Sequence, residues 1–177
     1  MIKLQKLLKE AFVWERKFGE PLPTLADAQE QHQKKKLNEG TRWNVGVAMP
    51  NGKVTAVYGH YDGYPEYVGK ILKKHYSQGG KVRDLVKIGK QGISTLGKKI
   101  GKKHSFDMPY DEKEKLGYTT FYGRDRGEKG NMSSTYKNID DFGKKFTKSS
   151  GAEFGYVWDM KERKWYMFDY HGRKTEL

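Results

Sequence analysis

Three groups of residues have the types and spacing to do chemistry. The first is His60, Asp62 and Glu66, in the run His60-Tyr61-Asp62-Gly63-Tyr64-Pro65-Glu66. Residues two apart in extended chain point the same way, so an imidazole and a carboxylate there suit a metal ion or an acid–base pair. The competing reading is a turn, because Asp-Gly is favourable turn chemistry and His60 has backbone groups to bond within it. The chain contains no H-E-x-x-H or comparable ligand spacing. The turn is therefore preferred, and neither a metal nor a cofactor is expected.

The second group is Gly123-Arg124-Asp125-Arg126-Gly127-Glu128. Arg124 and Arg126, flanked by glycine at a strand end, can hold a phosphate or carboxylate bidentately with help from backbone N–H groups. Alternatively, Asp125 and Glu128 pair with those arginines and leave little charge for a ligand. The third group is Lys98, Lys99, Lys102 and Lys103, in Gly97-Lys98-Lys99-Ile100-Gly101-Lys102-Lys103-His104, a dense positive stretch without an acid. It can track a phosphate backbone in a salt-sensitive, sequence-blind way, or serve as a solvated loop tip. No zinc finger, RRM signature or KH-type G-x-x-G accompanies it. Ser94, Ser133 and Ser134 lack a nucleophile elbow.

Composition bounds what these groups can serve. Lys and Arg number 35 against 22 Asp and Glu, a formal charge of +13, which favours anionic partners such as nucleic acid or nucleotide. With no cysteine, disulfides, thiolate metal sites and a cysteine nucleophile are excluded. No apolar run approaches the ~20 residues that cross a bilayer. Lys3, Lys6 and Lys9 interrupt any signal-peptide core, so no membrane partner and a cytoplasmic location are expected. The aromatic content of 14% supplies core area that the sparse aliphatic residues do not.

The elements that would position the three groups follow from periodicity. Residues 2–18 repeat Leu4, Leu7, Leu8 and Phe12 at helical spacing. Pro21 and Pro23 interrupt, Thr24 can cap a second, mostly polar helix, and Gly40 closes it. Residues 1–40 thus read as a helical extension, suited to docking on a partner protein. From Arg42 the period becomes two. Trp43, Val45 and Val47 would share a face, with Val54, Ala56 and Tyr58 paired to them across a tight Asn51-Gly52 turn. Pro65 opens a helix through Val68, Ile71 and Leu72, which Gly79-Gly80 would end, and Val82, Leu85, Val86 and Ile88 suggest another. Residues 89–117 read as a long surface loop. Residues 118–122 form a strand, Asn138 caps a helix with Ile139, Phe142 and Phe146 inward, and residues 154–158 and 165–169 make a second hairpin.

The quoted runs resemble a group of small bacteriophage and prophage proteins. The resemblance rests on His60 through Gly69, His75-Tyr76, Ile93-Ser94-Thr95-Leu96-Gly97, Phe121-Tyr122-Gly123-Arg124-Asp125-Arg126-Gly127-Glu128 and Lys164-Trp165-Tyr166, in that order. It covers about residues 41 to 170 and implies a phage origin and an infected host cell as the setting, not a mechanism. Residues 1–40 and the lysines of 97–103 stand apart from that pattern.

The resulting expectation is an α+β protein: a helical extension at 1–40, then a domain at 41–177. The sheet would have about five antiparallel strands, from two hairpins plus one strand, with helices on one face. The function read from it is non-enzymatic binding of a polyanion or phosphate-bearing ligand, related to host defence or host takeover, with Lys98, Lys99, Lys102 and Lys103 supplying field and Arg124 and Arg126 specific contacts. One alternative is a module that inhibits a host or phage protein through residues 1–40. Another is a hydrolase or nuclease using His60, Asp62, Asp125 and Glu128, which requires the two loops to converge on one cleft.

Overall fold

The central strand of the domain is buried at all six positions. In the computed structural model of the chain, which describes residues 40–177, β1 (Trp43–Ala48) lies between β2 (Val54–Gly59), antiparallel, and β6 (Phe154–Asp159), parallel. Its sequence alternates large and small. Trp43, Val45 and Val47 enter one apolar cluster, while Ala48 joins a second cluster with Phe142, Phe146 and Phe168. Both faces of the sheet are therefore covered. On the first face pack the π-helical turn Pro65–Gly69, α1 (Lys70–His75) and α2 (Gly79–Ile88), through Val68, Leu72, Val82, Leu85 and Val86. On the second packs α4 (Ile139–Ser150), through Phe142 and Phe146.

The described chain is a mixed α+β structure with an eight-stranded sheet. The strand order is β4-β3-β2-β1-β6-β7-β8, with β5 also on β2. The further strands are β3 (Ile93–Thr95), β4 (Thr120–Phe121), β5 (Ser133–Tyr136), β7 (Lys164–Phe168) and β8 (Lys174–Glu176). A short α3 (Tyr110–Leu116) precedes β4. Three expectations are corrected here. The strands number eight rather than about five, because β3, β5 and β8 have only three or four residues each and too little alternation to announce themselves. The sheet is not wholly antiparallel, since β1–β6 and β2–β3 are parallel. Helices cover both faces, not one.

The first hairpin is shifted by one residue from the tight-turn pairing. Ala48 opposes Val54 and Val45 opposes Val57, so Val54 and Ala56 pair with Ala48 and Gly46, and Tyr58 with Asn44. The Gly52 N–H donates to Met49 O (2.8 Å) and the Met49 N–H to Lys53 O (2.9 Å), with Gly52 at φ +85°. Pro50-Asn51 form the turn and Gly52 takes the left-handed position after it, one residue more than a two-residue loop. With a side-chain period of two, that residue moves Val54, Ala56 and Tyr58 to the opposite face.

Trp43 closes the corner after β2. Its indole N–H donates to Tyr61 O (2.9 Å), and a Cβ at Gly59 or Gly63 would collide with its ring. Buried Tyr156 donates to Gly63 O (2.7 Å) across the same corner. Helix α1 ends at Tyr76, and Gly79-Gly80 begin α2 rather than terminate the preceding helix. Residues 89–117 are not a surface loop throughout: Ile93 and Leu96 are buried, and β3 pairs with both β2 and β4. Asn138 caps α4 by accepting from the Asp141 N–H (2.8 Å), as its position before an apolar-periodic run implies. The helices read within residues 1–40 lie outside the described residues.

Candidate functional site

The arginine loop folds inward. Residues Tyr122–Arg126 form a π-helical turn directly after β4, which swings Arg124 under its own strand. Its Nε–H donates to Asp125 Oδ1 (2.8 Å), Nη1 donates to Ile100 O and Gly101 O (both 3.0 Å), and Nη2 donates to Thr119 O (2.7 Å) and Asp125 Oδ2 (2.9 Å). A guanidinium has five N–H groups, and all five are used. The plane also lies 4.6 Å from the Phe121 ring centroid. Asp125, whose side chain is 0% exposed, also accepts from the Phe121 N–H (2.8 Å) and the His104 N–H (3.3 Å). Burial alone would raise its pKa, but the Arg124 and backbone hydrogen bonds outweigh that and hold it below the usual carboxylate range. Arg124 thus has no N–H left for an anion. Asp125 has no face left for catalysis. Arg126 remains exposed, pairs with Glu128 (3.2 Å) and lies over Phe106.

What Arg124 holds is the lysine loop. Its two bonds to Ile100 and Gly101 carbonyls fix the middle of Lys98–Lys103, and the Lys99 backbone bonds Gly117 O and the Thr119 N–H on either side of Tyr118. Lys98, Lys99, Lys102 and Lys103 are all exposed. Lys98, Lys74 of α1 and Lys81 of α2 each act on the His75 ring. Desolvation and then these three ammonium groups lower the His75 pKa. Among the described residues, none of Lys74, Lys81, Lys98, Lys102 or Lys103 makes an ion pair. Sequence reading found the loop lysines but not Lys74 and Lys81, which only helix packing brings alongside.

The polar corner divides. Asp62 sits at φ +58°, a left-handed turn position, and accepts from the Tyr64 hydroxyl (3.0 Å). Glu66 is exposed in the turn that opens α1. His60 faces elsewhere. Its Nδ1 lies 2.7 Å from the Tyr58 hydroxyl, and burial followed by the Arg42 charge lowers its pKa, so the ring is neutral at pH 7. Among the described residues no group of three His, Asp or Glu is placed to hold a metal.

His60 and Glu128 do meet, in a cleft of about 580 Å³. It lies past the C-terminal end of α4, where Ser149 and Ser150 meet Asn44 of β1, Tyr58 of β2, Ser133 and Ser134 of β5, and Tyr122. Asp62 and Asp125 do not line it. The four residues of the hydrolase alternative therefore do not converge, since one closes a turn and another is buried in an ion pair. Asn44 was missed by sequence reading, although a lone amide within Trp43-Asn44-Val45-Gly46-Val47-Ala48 is the kind of signal that marks it. No helix among the described residues is long and apolar enough to cross a membrane. No protein-family model, curated protein or solved structure matches the chain.

Proposed function

We propose that the protein binds a nucleic-acid backbone across the basic face formed by α1, α2 and the Lys98–Lys103 loop. The observation that supports this is that the Arg124 bonds to Ile100 O and Gly101 O pin a loop whose Lys98, Lys99, Lys102 and Lys103 are all exposed and enter no ion pair among the described residues. Like charges brought together without a counter-ion repel. A polyanion relieves that repulsion and gains from counter-ion release, which makes the binding sequence-blind and steeply salt-dependent. Arg124 acts here as the bolt that presents the lysines and not as a ligand, which moves the reading from a bound nucleotide toward an extended backbone. The half-buried Tyr118 beside Lys99 offers a ring for stacking at its margin. The biological setting we attach is a phage-encoded accessory protein acting on nucleic acid in the cytoplasm of an infected cell.

The test is fluorescence anisotropy of a labelled oligonucleotide over a salt series. Replacing Lys98, Lys99, Lys102 and Lys103 by Gln should lower the slope of log K against log salt by about 3, since each phosphate contact contributes about 0.7 to 0.9. Replacing Lys144 and Lys148, exposed on α4, should leave it unchanged. An unchanged slope in the quadruple variant, or no binding at low salt, would refute the proposal.

A further inference from the structure

The cleft at the end of α4 has no part in that basic face. Its floor holds Asn44, a side chain only 3% exposed, on a strand whose other neighbours are apolar. The amide orientation is set by its partner. Ser150 Oγ donates its single proton to Phe146 O (2.8 Å), so at 3.0 Å from Asn44 it accepts from Nδ2. Asn44 Oδ1 is left with no hydrogen-bond partner among the described residues. A buried acceptor without a donor costs about 1–3 kcal/mol, and such an atom in the wall of a cleft calls for a donor brought from outside.

The other walls have the same polarity. Ser133 commits its proton to Asn131 Oδ1, so it too turns a lone pair outward. Glu128 adds a carboxylate, one oxygen of which is taken by Arg126. The cleft is thus rich in acceptors. The Arg126 guanidinium beside Glu128, and the Arg42 charge felt by both Tyr58 and His60, oppose a cationic donor. No lysine or arginine lines the cleft while the Glu128 carboxylate does, so an anion is disfavoured there too. The rings of Tyr58, His60 and Tyr122 supply apolar faces, Tyr58 to His60 at 5.9 Å and His60 to Tyr122 at 6.4 Å between centroids. The volume of about 580 Å³ is that of a small-ligand site.

We infer that this cleft is a binding site for an uncharged polyhydroxylated ring, a sugar ring whose hydroxyl donates to Asn44 Oδ1 while its less polar face lies against the tyrosines. The same chemistry is carried by a free saccharide and by the ribose of a ribonucleoside. The test is saturation-transfer NMR and calorimetry on the full chain with three probe sets: pentoses and hexoses, ribonucleosides with their 2′-deoxy counterparts, and the amines spermidine and arginine. Binding of a saccharide, or of ribonucleosides more tightly than deoxynucleosides, supports the site and names the source. Asn44→Leu, which removes the orphan acceptor, should weaken that binding about tenfold or more. If Asn44→Leu fails to fold, Ser133→Ala and Tyr58→Phe at the rim should weaken it about threefold each, while Lys102→Gln has no effect. Binding of the amines alone, no binding of any probe at millimolar concentration, or an affinity indifferent to Asn44, Ser133 and Tyr58 would overturn the inference.

Discussion

Replacing Arg124 by Met should destabilise the whole domain, not only the loop that carries it. The side chain supplies five hydrogen bonds, two to a carboxylate that is 0% exposed and three to the carbonyls of Ile100, Gly101 and Thr119. Removing it strands a buried anion with only the Phe121 and His104 N–H groups for support. Breaking one side of a buried pair costs about 3–5 kcal/mol, because the remaining charge is uncompensated. Urea denaturation of the full chain measures this directly. At a slope of about 1–3 kcal/mol per molar, the midpoint should fall by at least about 1 M. The double variant R124M/D125L removes the stranded charge and should recover part of the loss, a non-additivity that a mere packing defect does not produce. The pair also sets an acid limit. Asp125 titrates lower in the folded than in the unfolded chain, so its contribution is present above the unfolded carboxylate value near 4 and is lost as pH falls through the folded value. R124M should flatten that acid limb. A midpoint within 0.3 M of the parent, or strictly additive variants, would refute the view of Arg124 as a structural bolt.

Two further outcomes test the packing. Deleting Gly52 keeps Met49 opposite Lys53 but leaves Pro50-Asn51 as a two-residue loop, and the primed turn that such a loop needs requires a positive φ at Pro50 that its ring forbids; circular dichroism and thermal melting should report a markedly less stable fold. Gly59→Ala sets a methyl group against the Trp43 ring, and overpacking of that kind costs about 1–3 kcal/mol, seen as a lower melting temperature with Trp43 fluorescence shifted. A melt unchanged in either variant would count against the register or the corner packing described here.

Where a feature depended on nearby residues, the sequence was enough. The Asn138 cap, the inward Phe142 and Phe146, the Trp158–Trp165 hairpin and the helix over Val82, Leu85 and Val86 all follow from spacing of three or four, or of two, and from one capping side chain. Asp62-Gly63 was legible as a turn for the same reason. The hairpin after β1 was not, although its turn residues were, because a single residue in the loop decides which face each side chain takes. Short strands such as β3 and β5 owe their existence to β2, whose outer edge they share end to end, and no local pattern encodes a neighbour's free edge.

The candidate sites divide along the same line. Residue type alone marked the lysines of 97–103 as a positive loop, since four charges in six residues need no fold to lie together. It could not distinguish Arg124 from Arg126. One is consumed by carbonyls some 24 residues away and the other is exposed, a difference set wholly by the π-helical turn that aims them. Nor could it assemble the cleft, whose Asn44, Tyr58, Ser133 and Ser150 come from β1, β2, β5 and α4. Local periodicity determines elements because its interactions reach one turn or one strand pair. Which polar atom is left buried without a partner is decided only when distant elements close over it.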